Sequence, residues 1–421
     1  SEGYISDNEL IKDSIFLWEL SLDGTLRHIP SVLPATIWAQ EKWFKRIFIP
    51  DENGKEAAII PWIEVIKIQK LSELIDILNQ DTAYKAEPHM SLEELVWIDD
   101  FGERNNFSHV LWQAFAKRAL EIAAAGWHNL LMEWPPWSGK TMLAKAFSTI
   151  LPDFSLEEAI EVSKLYSVSW LLSIDIPLIT RRPYRSVHHT ASATSIIGWW
   201  RNARPWEISL AHKWILFLDE ILEFPKTVLE VLRQPLEDGK ITVTRVNGSY
   251  EYPANFSLIG AMNPCPCWYL TDPDRDCICT PNQIANYRGR LSWPLLDRVD
   301  MFIEVPKVPT KDFQNTPTTQ EEDSSIIKER VQVARDAQLK RFEGTWITSN
   351  SEMKTSDIKK YCSIDSASQT LLGQAVASMN LSARAYYRIL KLSRTIADLE
   401  KSVTIESAHI LEALSYRKKQ E

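Results

Sequence analysis

Two short stretches have the residue types and spacing of a nucleoside-triphosphate site. The first is Trp134-Pro135-Pro136-Trp137-Ser138-Gly139-Lys140-Thr141, and the second is ILFLDE, Ile215 to Glu220. In a loop of the form GxxxxGK[ST], backbone N–H groups wrap the phosphates, a lysine neutralises the β and γ phosphates, and the hydroxyl that follows holds Mg²⁺. Gly139, Lys140 and Thr141 fit that pattern and Trp134 does not, because the loop needs glycine where the backbone approaches phosphate. In ILFLDE, four apolar residues place Asp219 and Glu220 at the tip of a buried strand. There Asp219 can hold the metal through water and Glu220 can polarise the attacking water.

The mismatch at Trp134 extends to the whole composition. The chain has 13 glycines and 17 tryptophans in 421 residues, and the two counts together reach the roughly thirty glycines that a usual content of about 7% would give. Trp127, Trp134, Trp137, Trp199, Trp200, Trp206, Trp214, Trp268 and Trp293 lie in turn or loop contexts where glycine is ordinary and an indole has no evident partner. This is the pattern of a gene whose organism reads UGA as glycine, with each UGA written as tryptophan. A real, tryptophan-rich and inactive chain is the second reading, and engineering is the third.

The elements needed to position these residues can be read along the chain. HNLLME precedes the loop and TMLAKAFSTIL follows it, while ILFLD, FSLIGAM and MFIEVP come later. Strands alternating with helices over residues 105–308 imply an α/β core, a mostly parallel sheet between helices. Residues 1–88 read as a small α+β domain with turn signals at Asp23-Gly24 and Asn53-Gly54, and 89–104 as a linker after the polar stretch DTAYKAEPHM. A second linker spans 309–324, and helical periodicity from 325 to 421 predicts an all-helical terminal domain. The net charge of −9 excludes a globally basic nucleic-acid coat but not a locally basic channel. No apolar run approaches a membrane span and the first residues are polar, so the chain reads as cytoplasmic with no membrane partner.

GPPGSGKT read through the exchanged letters, RRPYRSVHHTASATSIIG, EISLAH, ILFLDE, VLEVLRQPLEDGKITVTR, AMNPCPC, LLDRVD and LSARAYYRILKLSRTIAD together resemble the magnesium-chelatase-like AAA+ ATPases of the ComM/YifB type. The resemblance covers nearly the whole chain. It implies a P-loop AAA+ core, a C-terminal helical lid, and an N-terminal region similar to the later part of a Lon-protease-like, S5-like domain, with roughly a fifth of a full-length member absent. Leu33 stands near where a Lon catalytic lysine would fall, which implies a non-proteolytic domain. The resemblance also implies that Asn263 is the first sensor and orients the lytic water. Arg298 would be an arginine finger offered to a neighbouring subunit, and Arg384 the second sensor, reaching from the lid. Phosphoryl transfer depends mostly on positioning and charge stabilisation, which these residues can supply.

Two further segments bear on what the ATP energy moves. KITVTRVNGSYEYP alternates about Asn247-Gly248, a two-residue hairpin signal, and resembles a hairpin that points into the ring channel. Lys240, Arg245 and the run Arg181, Arg182, Arg185, His188, His189 are then candidates to touch a phosphate backbone without reading bases; a solvated basic loop is the alternative. Cys265-Pro-Cys267 and Cys277-Ile-Cys279 are two CxC arms on either side of a polar loop, suited to a structural tetrahedral Zn²⁺ in a reducing compartment, with free thiols as the alternative.

The expectation is therefore a Mg²⁺-dependent ATPase motor that self-associates into a ring, expected to be a hexamer. It would act on single-stranded or branched DNA as a branch-migration helicase in transformation and recombination. The alternatives are a chelatase-type ATPase that remodels protein partners for metal insertion, and a nucleotide-free scaffold if Trp134 and Trp137 are real.

Overall fold

The computed structural model describes residues 9–90, 105–135, 139–182, 184–190, 207–245, 248–306 and 321–417. The chain forms two compact units. One comprises Ser1–Ile98, Phe154–Arg181 and Arg204–Trp206; the other comprises Asp99–Asp153, Arg182–Ala203 and Glu207–Glu421.

The first unit is built on a three-stranded parallel sheet of β1 (Ser14–Phe16), β4 (Arg46–Pro50) and β5 (Glu64–Ile68), in the order β1-β4-β5. A small antiparallel pair, β2 (Glu19–Leu20) and β3 (Leu26–Arg27), flanks it. Val32, Leu33, Ile47, Ile49 and Val65 are buried together, and Ala159 and Leu178 from much later in the chain share their core. Ser155 starts the later helix, Leu156–Val168, with a reciprocal capping box: its hydroxyl accepts from the Glu158 N–H, and the Glu158 carboxylate accepts from the Ser155 N–H. Ser167 then donates to buried Glu56 at 2.6 Å. Segment 154–181 thus completes the N-terminal unit, although in sequence it lies between the helix Lys140–Thr149 and the next strand of the five-stranded sheet of the second unit. The Leu33 side chain is fully buried, and its backbone N–H donates to Glu56 at 3.0 Å. The polar stretch after residue 80 also packs onto this unit, with Glu87 N–H donating to the Val65 carbonyl at 2.8 Å.

The second unit carries a five-stranded, all-parallel sheet of β6 (Leu130–Glu133), β7 (Tyr184–Val187), β8 (Ile215–Leu218), β11 (Ser257–Met262) and β12 (Met301–Glu304), in the order β12-β6-β11-β8-β7. Its strands read as continuous apolar runs because both faces are covered. Period-2 alternation sends Leu130, Met132, Ile215, Phe217, Ile259, Ala261, Met301 and Ile303 to one core. Leu131, Leu216, Leu218, Leu258 and Phe302 face the other. The first core is closed by the helix Ala114–Gly126 and by the C-terminal helices Ser324–Arg341 and Ala383–Leu399. Buried Asp398 of that last helix pairs with Arg341 and Arg394 and accepts from Asn350 at 2.9 Å, which locks the helical region internally. The order of strands, with helices on both faces and a helical C-terminal region, is the α/β AAA+ arrangement expected from the sequence. Among the described residues, no helix is long and apolar enough to cross a membrane.

The hairpin of β9 (Lys240–Arg245) and β10 (Gly248–Pro253) pairs Arg245 with Gly248. This register corrects the expected turn. Gly248 opens the second strand, and Val246 and Asn247, outside the described residues, connect the two.

Candidate functional site

The middle of the sheet converges on one end. β6 leads to Trp134, whose N–H donates to the Met262 carbonyl at 2.9 Å, so the start of the loop is stitched to the end of the neighbouring strand β11. Pro135 follows; Pro136, Trp137 and Ser138 lie outside the described residues. Gly139 then adopts φ 82°, a left-handed conformation that favours glycine, and opens the helix Lys140–Thr149. Thr141 sits in the first turn of that helix, beside the N–H groups and positive dipole end available to an anion.

Lys140 donates through Nζ to Oδ1 of Asn263, the residue directly after β11. Burial pushes Lys140 below an ordinary lysine value, and the charges of Asp219 and Glu220 at the tip of β8 oppose that shift. Four of the expected residues, Lys140, Asp219, Glu220 and Asn263, are thus brought together at the ends of three adjacent parallel strands. Glu220 has φ 51° and its N–H donates to Asp219 Oδ1 at 2.9 Å, so the acidic pair is held as a tight corner. This donor set fits a magnesium-bound triphosphate: a helix N-terminus and a lysine for the phosphates, and paired carboxylates for metal and water. An indole at 134 does not fit it. Trp134 is fully buried and its Nε1 has no hydrogen-bond partner among the described residues.

Sequence reasoning missed two contacts here. His189, just past the end of β7, places Nδ1 at 3.3 Å from a Glu220 carboxylate oxygen. Arg288 pairs with Glu133, the last residue of β6, at 3.0 Å. Neither is signalled by local spacing, since each joins residues that are far apart in the chain.

Arg298 and Arg384 form a second group. Arg298 donates to the Pro294 carbonyl at 2.6 Å and pairs with Glu237. Burial lowers its pKa, and the charges of Arg384, Arg233 and Arg388 lower it further. Arg384 reaches from the helix Ala383–Leu399 to Asp297 at 2.7 Å. Both line or adjoin a cleft of about 900 Å³ that also includes Trp293, Asp300 and Arg388. Burial on its own would raise the pKa of Asp300. His128, Arg388 and Lys391 outweigh burial and hold it well below the usual carboxylate range.

The basic residues separate into different environments. Lys240 is half-exposed on the hairpin and pairs with Glu251 at 2.9 Å, while Arg245 ends the first hairpin strand. Arg182, expected among the candidate phosphate contacts, is instead structural. It is buried, donates to the carbonyls of Pro152 and Lys213 at 2.8 and 2.6 Å, and lies over the Trp127 ring. Arg185 pairs with Glu207 at 3.4 Å. The segment after His189-Thr190, residues 191–206, lies outside the described residues.

Cys265, Cys267, Cys277 and Cys279 converge so that their sulfurs all lie within 4.8 Å of one another. Burial would raise Cys267, but backbone N–H groups of Tyr269 and Ile278 and the thiols of Cys265 and Cys279 bring it down to about 6.

Comparison with known proteins agrees with this geometry. The profile described as "Magnesium chelatase, subunit ChlI" matches residues 106–313, its C-terminal counterpart matches 321–417, and "Subunit ChlI of Mg-chelatase" matches 3–53. Competence protein ComM of Haemophilus influenzae is 38% identical over 415 residues, covering 98% of this chain and 79% of that protein. YifB of Escherichia coli K12 is 36% identical over 401 residues, covering 95% of this chain and 76% of that protein. The magnesium-chelatase 67 kDa subunit of Chlorobaculum parvum is 22% identical over 212 residues, covering 49% of this chain and 27% of that protein.

Proposed function

The chain belongs to the ComM/YifB family of magnesium-chelatase-like AAA+ proteins, and we propose that it is a ring-forming, Mg²⁺-dependent ATPase that moves DNA. The observation that carries the hydrolytic half is the convergence of Lys140, Asn263, Asp219 and Glu220 at the end of the parallel sheet. In this reading Lys140 binds the β and γ phosphates, and Asn263 and Glu220 orient and polarise the attacking water. Thr141 and Asp219 would hold Mg²⁺, which supplies charge neutralisation between the phosphates. Arg298 faces a neighbouring subunit's nucleotide and Arg384 reaches from the lid as the second sensor, which makes hydrolysis depend on assembly into a ring, taken to be a hexamer. Cys265, Cys267, Cys277 and Cys279 would carry a structural Zn²⁺, and a cytoplasmic setting would keep all five cysteines reduced.

The DNA half rests on likeness to a protein named for competence and on the β9-β10 hairpin, where Lys240 and Arg245 can follow a phosphate backbone. Branched or single-stranded DNA is the proposed substrate, with branch migration as the outcome. The test is the rate of ATP hydrolysis with and without forked or four-way DNA at moderate salt. Stimulation that weakens as salt rises is expected, and an identical rate with and without DNA overturns the DNA reading. The local likeness to a magnesium-chelatase subunit supports a second reading, in which the same ATPase remodels a protein partner for metal insertion into a tetrapyrrole. A DNA-insensitive ATPase would favour it.

A further inference from the structure

Residues 264–280 join β11 to the helix Pro281–Arg288 without a strand or helix of their own. From Pro266 to Thr280 no residue is buried, and Leu270 and Ile278 are both exposed, so no apolar contact explains why this loop closes on itself. The residues that converge are the four thiols. Cys265 and Cys267 sulfurs are 3.4 Å apart, Cys265 and Cys277 are 3.7 Å apart, and Cys267 and Cys277 are 3.5 Å apart, with all cysteines free. Tetrahedral thiolate ligands at a zinc-to-sulfur distance of about 2.3 Å lie about 3.8 Å from one another. The three distances given lie just below that spacing, and all four sulfurs lie within 4.8 Å of one another.

The cluster ties together both ends of a catalytic segment. One arm begins two residues after Asn263, which is bonded to Lys140. The other ends at Cys279, next to Thr280, whose hydroxyl accepts from the Gln283 N–H and caps the helix. The last residue of that helix, Arg288, pairs with Glu133 at the foot of the phosphate loop and donates to the Pro264 carbonyl at 3.4 Å. We propose that a tetrathiolate Zn²⁺ closes this circuit and fixes Asn263 against the phosphate loop, so that the metal is a positioning element for hydrolysis rather than a remote staple.

The positioning role rests on the ATPase reading; the metal centre does not. The test uses the full chain, stripped with a chelator and reloaded with Co²⁺. Expected are one metal per chain and the intense sulfur-to-cobalt absorption of four thiolates. Stripping is expected to lower kcat for ATP by up to about 10²-fold, the scale of an ångström-level misplacement, with KM nearly unchanged. Cys279→His should keep the metal, shift the spectrum to three sulfurs, and keep kcat, whereas Cys279→Ala should lose both metal and rate. No metal, or fewer than four sulfur ligands in the unaltered chain, overturns the site. A bound metal whose removal leaves kcat unchanged overturns the positioning role. A four-sulfur cobalt spectrum in a chain that hydrolyses no ATP instead removes the ATPase reading and leaves the metal centre standing.

A second inference is carried by the backbone alone. Twelve tryptophans lie among the described residues, and six of them, Trp43, Trp62, Trp112, Trp127, Trp170 and Trp268, have φ between 58° and 73°. A bulky residue there is a genuine outlier. Among the described residues no Phe or Tyr adopts positive φ, whereas Gly24, Gly139, Gly239, Gly248 and Gly344 do. Aromatic bulk as such is therefore not tolerated in this fold, and the tryptophan positions behave like the glycine positions. Trp43, Trp127 and Trp170 each follow a helix that ends with a bond from the next residue's N–H back five residues: Phe44 to Ala39, His128 to Ala123 and Leu171 to Tyr166. That closure usually carries glycine at its left-handed position. Where Gln80, Asn380 and Lys401 hold positive φ in this chain, they are polar. Trp43 and Trp62 are 89% and 90% exposed, so no packing offsets the backbone, and Trp127, like Trp134, buries an indole nitrogen with no hydrogen-bond partner among the described residues.

We infer that these six residues and Trp134 are glycines in the protein made by its own cell. Peptide mass spectrometry of the chain from that cell decides the point. Peptides spanning the seven positions should be lighter than the tryptophan form by the difference between an indolylmethyl group and hydrogen, and tryptophan at any of the six left-handed positions overturns the inference. Glycine at all seven, with no ATP binding by that chain, would remove the motor reading alone.

Discussion

Replacing Glu220 with glutamine in the glycine-bearing chain leaves ATP binding intact and lowers hydrolysis by about 10²- to 10⁴-fold, the usual contribution of a positioned acid–base group. Glutamine keeps the size of the side chain and removes its charge. The tight corner with Asp219, made by a backbone N–H, survives the change, and so does the Lys140–Asn263 contact on the adjacent strand. Nucleotide affinity by equilibrium binding should therefore stay within a few-fold, while steady-state phosphate release collapses and DNA unwinding stops. Equal hydrolysis by both chains would mean that Glu220 does not touch the reacting water. Equal unwinding with hydrolysis abolished would mean that the DNA activity is not powered at this site.

Arg298→Ala should lower hydrolysis by about 10³-fold or more, the magnitude associated with an arginine finger, without loss of ATP binding by the isolated chain. Arg298 is paired with Glu237, and its charge is disfavoured by burial and by Arg384, Arg233 and Arg388 around it. An arriving phosphate would take the place of Glu237 on Arg298, and the neighbouring arginines favour an anion there. The measurement that separates a trans role from a folding defect is mixing. Rings combining Arg298→Ala and Glu220→Gln subunits should regain a fraction of the rate, because some interfaces then pair an intact finger with an intact acid. Mixtures no faster than either variant alone would refute the trans assignment.

The sequence revealed the parts of this molecule whose signal is local. β6, β8, β11 and β12 are apolar runs covered on both faces, Lys140 and Asp219 follow from motif spacing at strand ends, and Asn263 comes from the family resemblance. β7 escaped because among the described residues it is an edge strand, paired to β8 alone, and carries Arg185 and Ser186 beside Val187. Arg182 looked like its basic neighbours. Only the carbonyls of Pro152 and Lys213 that receive its guanidinium distinguish a buried arginine from an exposed one. The His189–Glu220 contact joins the tips of two strands and has no sequence period. The hairpin was legible but its turn was placed one residue late, since Asn-Gly is a strong local signal and cross-strand pairing overrode it. The excursion of residues 154–181 into the first unit was hidden for a related reason: an amphipathic helix records that it has an apolar face, not which core receives it.

That excursion limits how the molecule can be dissected. A cut near residue 100 would not release a self-sufficient engine. It would strip Ala159 and Leu178 of the core that covers them and leave a greasy helix protruding from the fragment. The N-terminal unit is thus spliced into the chain's architecture rather than hung on its front. A deletion meant to reveal its role would report on misfolding and clumping before it reported on biology.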